Sequence, residues 1–442
     1  MSGQAGDGAL RRSRTGWLML AGLGISYVIG GDFSAWNFGL AKAGWGGMMI
    51  AIMLSAVIWI ALTMTLAELS SILPTAGGGY SFADAAFGPM AGRIAGFAIM
   101  IEYGGAAAVV AIFVEAYFKS LTGIGGWPVI LAAFAIPVAI HLRGAKEAIV
   151  TIFALTTAAI TGILVFAIAM APAFSSSHLF DIAPAPGGTP FLPMGWTGIW
   201  TAMPFATAFF LAVEGIAMAA EEVMDPQHTL PKAMIAAVIA LLAIAIVLLV
   251  AGPGGAGSAA LAGRNDPLPA ALAIAGTGHR VIVVVNIAAL IGLGACLFSA
   301  IYAYSRQAFA LARAGHLPAL LSRTSDHEVP IAAILVPGTI ALLVALTGEA
   351  EGVFVAMVFA AMVSYLLMTA AHLRLRRTRA SLPRPYRTPA GGLLATVALV
   401  ASFVMLLACI GASPIWSGAT GGLLAVMTAL SAFSHRRAYG KA

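Results

Sequence analysis

Apolar runs of membrane length, separated by short polar or basic stretches, recur along the whole chain. Twelve are read, at 17–41, 46–67, 94–118, 121–140, 148–174, 196–220, 233–254, 281–304, 329–346, 352–371, 391–410 and 414–434. A helix of about 20 apolar residues matches the hydrocarbon thickness of a bilayer. The fourth run is the weakest, because Pro128 and Pro137 fall inside it and favour a short or tilted helix. The pattern predicts an all-α integral membrane protein of about 12 transmembrane helices.

Composition agrees with that pattern. Hydrophobic residues make up 61% of the 442 and charged residues only 9%, with a mean hydropathy of +0.97. Soluble domains carry about 25% charged residues, so this chain lacks the charge to cover a water-facing surface. Arg11, Arg12 and Arg14 precede a first run too long for a signal-peptide core, so that run is expected to be retained. Cys296 and Cys409 lie inside apolar runs and read as small buried hydrophobes, with neither a disulfide nor a metal framework implied.

Charge then orients the chain. An even number of spans puts both ends on one side. Of 23 Lys and Arg, 19 fall in the stretches on that side and 4 on the other (Lys42, Lys119, Arg264 and Arg280). The positive-inside rule places both termini in the cytoplasm, in a bacterial-type inner membrane. This asymmetry accounts for the basic pI of about 9.5 without a nucleic acid partner, leaving membrane lipid as the surrounding medium.

Acidic residues inside such runs are costly and read as functional by default. Asp32 follows Gly30-Gly31 in the first run, with Tyr27 before it and Trp36 one turn on. A glycine pair at this depth serves either close helix packing or a helix break that frees backbone groups for a ligand. Beside an acid, the break is the reading taken, and a cation is the partner that acid calls for, with Tyr27, Phe33 and Trp36 available for cation–π attraction. The sixth run repeats the theme: Phe205, Phe209 and Phe210 precede Glu214-Gly215. Glu102-Tyr103 in the third run adds an acid that reads equally as a cavity group or a polar packing contact. Glu68, Glu221 and Glu222 fall near the cytoplasmic ends of their runs, where Glu68 and Glu221 suit gating together with Phe205 and Phe209. Two glycine-interrupted, acid-bearing runs in matching positions point to a transporter site.

Four motifs then carry a resemblance. Ala67-Glu68-Leu69 through Pro74-Thr75-Ala76-Gly77-Gly78-Gly79-Tyr80 resembles the stretch between the second and third helices of amino acid–polyamine–organocation (APC) transporters. Ala219-Ala220-Glu221-Glu222-Val223 with Asp225-Pro226 and Leu230-Pro231 is similar to the end of their sixth helix. Ala312-Arg313-Ala314-Gly315-His316-Leu317-Pro318 resembles the loop after helix eight, with Ala314 in place of the usual Asp. Arg384-Pro385-Tyr386-Arg387-Thr388-Pro389 resembles the motif before helix eleven. Within the superfamily, Trp36-Asn37-Phe38-Gly39-Leu40, Ala86-Phe87-Gly88-Pro89 and Phe209 through Gly215 look most like bacterial ethanolamine permeases.

The resemblance implies a LeuT-type fold, two inverted five-helix repeats with discontinuous helices one and six, plus two appended helices. It divides the chain into an N-tail (1–15), a first repeat (16–174), an outer loop (175–195), a second repeat (196–373), a basic cytoplasmic loop (374–390), two last helices (391–434) and a C-tail (435–442). Amino acid carriers of this kind place a Gly-Ser-Gly turn in helix one to hold a carboxylate, where this chain has Gly30-Gly31-Asp32. An acid there favours a cationic amine without a carboxylate, most simply ethanolamine, moved by alternating access and needing no cofactor. The residues implied for binding are Asp32, Glu214, Glu102, Gly30, Gly31, Tyr27, Trp36 and Tyr103. An amino acid permease is the alternative. A membrane-embedded enzyme is remote, because neither HExxH nor Gly-x-Ser-x-Gly occurs. Coupling stays open: the fifth run lacks the Lys some proton-coupled relatives use, while Asp32, Glu102 or Glu214 offer sites for a proton and Ser299 a lone oxygen for sodium.

Overall fold

The computed structural model describes residues 16–75, 77–143, 148–223, 225–325 and 329–439. The basic residues of 1–15, Lys146, the end of the C-tail, and the side chains of Glu221 and Glu222 lie outside what is described. Sixteen helices run from α1 (Trp17–Phe33) to α16 (Pro414–Tyr439), and no strand occurs among the described residues. Among the described residues, nine stretches are long and apolar enough to cross a membrane, and three shorter apolar helices, Trp17–Phe33, Trp127–Leu142 and Ile331–Ala345, join them. Together they fall on the twelve runs read from the sequence. The fourth run is indeed short, with Pro137 inside it.

Apolar side chains face outward all round the bundle, among them Ile168 at 73% and Ile415 at 82% exposed. In water that surface would be unstable; in lipid it is the solvent-facing surface. The inside is packed with small residues and aromatics. Trp36, Trp59, Tyr103, Tyr117 and Tyr365 are all fully buried.

The first run does break, but not where the glycines suggested. α1 continues through Gly30 and Gly31 and ends at Phe33; Ser34 is extended and Ala35 takes a left-handed φ of 77° before α2 (Trp36–Ile72) begins. Within α2, Gly44 turns the chain at φ 68°, so the piece from Trp36 to Ala43 belongs to the first run and the remainder to the second. Gly31 serves close approach instead: a Cβ there would collide with the carbonyl oxygen of Ala208. The break itself is held open by its neighbours. Tyr117 donates to the freed Phe33 carbonyl at 2.7 Å, and Asn37 Nδ2 reaches the Leu261 and Arg264 carbonyls at 2.7 and 2.8 Å.

The sixth run breaks as well. A helix over Gly195–Ala206 tightens into a 3-10 turn at Thr207–Phe209, and Ala212 adopts φ 76° before a second 3-10 stretch at Val213–Glu222. Two alanines in a conformation that L-residues avoid mark the two interruptions. Four short helices not anticipated from the pattern, Gly79–Phe87, Ser176–Leu179, Ser258–Leu261 and Pro267–Ile274, sit between the long ones.

Candidate functional site

The two interrupted runs meet at the middle of the bundle, where Gly31 touches the Ala208 carbonyl. A small cavity opens beside that contact. Tyr27, Val28 and Gly31 of α1, Glu102 of α4 (Pro89–Thr122), Ala208 and Ala212 of the sixth run, and Cys296 of α12 (His279–Arg313) are among its walls. Phe354 and Met357 of α14 (Ala350–Thr378) close it. Cys296 was expected to be a plain buried hydrophobe; it is buried, but it lines this cavity and its thiol donates to the Tyr27 carbonyl at 3.2 Å.

Two of the predicted acids come together here. Glu214 accepts from Tyr103 at 3.1 Å and from Tyr365 at 2.6 Å, and the Tyr365 hydroxyl is also 3.4 Å from Glu102. Tyr103 additionally lies 3.4 Å from the Ala212 carbonyl that the break exposes, and Tyr27 packs edge-on against it at 5.8 Å. Glu102 is fully buried and its Oε2 has no protein partner. Among the described residues, no Lys or Arg pairs with either acid. Glu214 also borders a second small cavity, walled by Leu66, Gly78, Gly79, Phe82 and Met368.

Asp32 is not part of this pair. It is fully buried, both carboxylate oxygens lack a partner, and it lies one turn beyond Val28, next to the cavity-lining Gly31 but not itself among the cavity's walls. The aromatic residues expected around it are otherwise engaged. Trp36 stacks on Phe209 at 6.0 Å and donates to the Asp32 backbone carbonyl, Phe33 packs on Tyr117, and Tyr27 on Tyr103. Gly30 faces Cys296 and Val110. Phe205 packs between Phe38 and Phe354, which places it against the cavity wall. Ser299 is occupied by the Ser26 hydroxyl at 2.9 Å.

Glu68, the acid near the cytoplasmic end of the second run, is fully buried in a cluster that ties that run to the loop at 374–390. Arg376 grips it with two bonds of 2.9 and 2.6 Å, Arg384 adds one at 3.2 Å, the Thr388 amide one at 2.7 Å, and His372 Nε2 lies 3.2 Å away. Burial, and after it the Glu68 carboxylate, raise the phenol of Tyr386 in that loop above its ordinary range. The motifs at 67–69 and 384–389 are therefore two halves of one contact. The loop motif at 312–318 similarly meets the stretch at 74–80: Tyr80 Oη and Arg93 Nε lie 3.5 and 3.4 Å from the His316 ring nitrogens.

Tyr365 and Phe354 were not anticipated. A tyrosine in the middle of an apolar run was the available signal, because a buried phenol needs a partner for its hydroxyl.

A bundle of apolar helices, two of them interrupted at its centre around a cavity bearing buried acids, defines a multi-pass membrane carrier. The family profile described as "Amino acid permease" matches residues 16–433, and the chain belongs to that family, within the APC-type transporters rather than among enzymes. It is similar to the branched-chain amino acid permease BcaP of Bacillus subtilis, 25% identical over 427 residues that cover 91% of this chain and 89% of the relative. An uncharacterized transporter of Mycobacterium tuberculosis is 28% identical over 413 residues, 92% of this chain and 90% of that one. The methylthioribose transporter of Bacillus subtilis is 28% identical over 325 residues, 68% and 67% of the two chains.

Proposed function

We propose that this chain is an amino acid permease that holds the substrate's ammonium group at Glu102 and Glu214, between the breaks of the first and sixth runs. The observation that carries this is the convergence of two buried carboxylates at the second break, beside a cavity, with tyrosine hydroxyls but no basic side chain answering them. An ammonium group is the complementary partner for such a site. The family and the BcaP relative favour an amino acid over an amine without a carboxylate. The substrate carboxylate would then be met by backbone amides freed at the Ser34–Ala35 break. Asp32, next to the cavity wall at Gly31, is a second cation contact in this reading, with Gly30, Gly31, Tyr27, Trp36 and Tyr103 shaping the pocket and Phe205 and Phe209 gating it.

Ethanolamine is the second reading, and a specific feature favours it: Asp32 stands where a carboxylate-binding turn would lie, and would repel an α-carboxylate. Under either reading the fold is of the LeuT type, with inverted repeats at 16–174 and 196–373 that rock around the site. Both termini and the 374–390 loop face the cytoplasm across a bacterial inner membrane.

A thermal-shift panel on purified protein, followed by uptake into proteoliposomes, tests the assignment. Leucine, isoleucine, valine, alanine, ethanolamine and methylthioribose are the ligands. Stabilisation and uptake by an amino acid are expected. A response to ethanolamine alone would select the second reading, and a response to methylthioribose without any amine would overturn both.

A further inference from the structure

Resting on that reading, we infer that Glu102 and Glu214 hold a single proton between them, that Tyr365 positions it, and that this proton moves between the two cavities as the ammonium group binds. One hydroxyl, that of Tyr365, reaches both carboxyl groups, at 2.6 Å from Glu214 and 3.4 Å from Glu102, and so holds the two side by side. Two ionised carboxylates would not keep that arrangement, since like charges this close repel and neither can donate. The distribution of donors says where the charge sits. Tyr103 and Tyr365 both point their hydroxyl hydrogens at Glu214, at 3.1 and 2.6 Å, while Glu102 receives only the distant Tyr365 contact at 3.4 Å. Glu214 is the carboxylate in this arrangement and Glu102 the acid.

The cavities give the pair a direction. Glu102 borders the cavity at the helix breaks, and Glu214 borders the one beneath it, against Gly78, Gly79 and Met368. An ammonium group entering beside Glu102 favours its ionised form. The O–H bond on Glu102 then breaks and an O–H bond forms on Glu214, with no net change in proton number. Tyr365 has one hydrogen to donate, and it swings from Glu214 toward Glu102 to follow the charge. The proton then rests on Glu214, on the side of the second cavity. The titratable groups facing the pair are Tyr27 from the first run, Tyr103 from the third and Tyr365 from the tenth.

Infrared difference spectroscopy of the protonated carboxyl stretch, followed through a pH titration of purified protein without substrate, tests this directly. Wild type is expected to show a carboxylic acid band that disappears as pH rises. Glu102→Gln should remove that titrating band. Tyr365→Phe deletes a donor to the carboxylate and so raises its proton affinity, moving the transition to higher pH by about one to two units. A titration that Tyr365→Phe leaves in place, or a band that Glu102→Gln leaves intact, would overturn the proton pair. Failure of the substrate assignment appears separately: leucine and ethanolamine would then leave the band and the melting temperature unchanged while the substrate-free titration stands.

Discussion

Glu68 and Glu102 are both glutamates with no solvent exposure, yet their surroundings are opposite. Glu68 is answered by two guanidinium groups, a backbone amide and a histidine. Glu102 has one tyrosine hydroxyl at 3.4 Å and a second carboxyl group for company. A buried charge must be paired or neutralised. The chain supplies the partners for Glu68, which clasps the second run to the loop before the eleventh. Among the described residues it gives Glu102 and Glu214 no Lys or Arg partner, and in the proposed reading the substrate supplies the cation.

The contrast breaks most readily at the clasp. Glu68→Ala takes the carboxylate from Arg384, whose side chain is only 7% exposed and keeps its bonds to backbone carbonyls, while Arg376 at 26% can still reach water. Removing one partner of a buried pair costs roughly 3–5 kcal/mol, and the accessible arginine puts the expected loss near the low end. A large fall in melting temperature, with substrate affinity kept within a few-fold in the protein that remains folded, is the expected result. Loss of affinity at unchanged stability would reverse the roles assigned to the two regions.

Next in size is Gly31. A side chain there collides with the Ala208 carbonyl, which is backbone and cannot rotate aside. Gly31→Val should separate the two interrupted runs and abolish uptake. Full uptake by a protein of wild-type melting behaviour would mean that the contact does not position the site.

Asp32→Asn sharpens the role of the third acid. Its carboxylate has no protein partner to lose, so stability should change by less than about 1 kcal/mol, while affinity for the ammonium-bearing substrate falls about tenfold. Unchanged affinity by calorimetry would remove Asp32 from the site. The smallest effect belongs to a surface pair. Lys42 and Glu351 meet at 2.9 Å but are 35% and 45% exposed. Lys42→Ala should shift stability by no more than about 0.5 kcal/mol. A shift of several kcal/mol in chemical denaturation would show that exposure is a poor guide to which ion pairs matter here.

The sequence carried the large features and missed the fine ones for identifiable reasons. Hydropathy located the nine long spans and the three shorter apolar helices that join them, because lipid imposes length and composition on each span independently of the others. The acids stood out for the same reason: their cost in a membrane makes them visible one residue at a time. The breaks were harder. Gly30 and Gly31 looked like the weak point, but a glycine in a span serves packing as readily as unwinding, and the positive-φ residues at the two breaks are Ala35 and Ala212. Which acids meet was not legible, since the pairing of Glu102 with Glu214 depends on how α4, α14 and the sixth run pack. Tyr365 joins them across 263 and 151 residues of chain, a relation no local pattern encodes. The Glu68 clasp was half visible, as two separate motifs whose contact only folding brings about.

The central claim is that the unpaired acids, and not the clasped one, hold the substrate's ammonium group. Isothermal titration of leucine, and in parallel of ethanolamine, into monodisperse wild type, Glu214→Gln and Glu68→Gln tests it most directly. A charge-assisted hydrogen bond is worth roughly 1.5–3 kcal/mol, so Kd should rise about ten- to hundredfold in Glu214→Gln and stay within a few-fold in Glu68→Gln. Wild-type affinity in Glu214→Gln for whichever ligand binds would contradict the account.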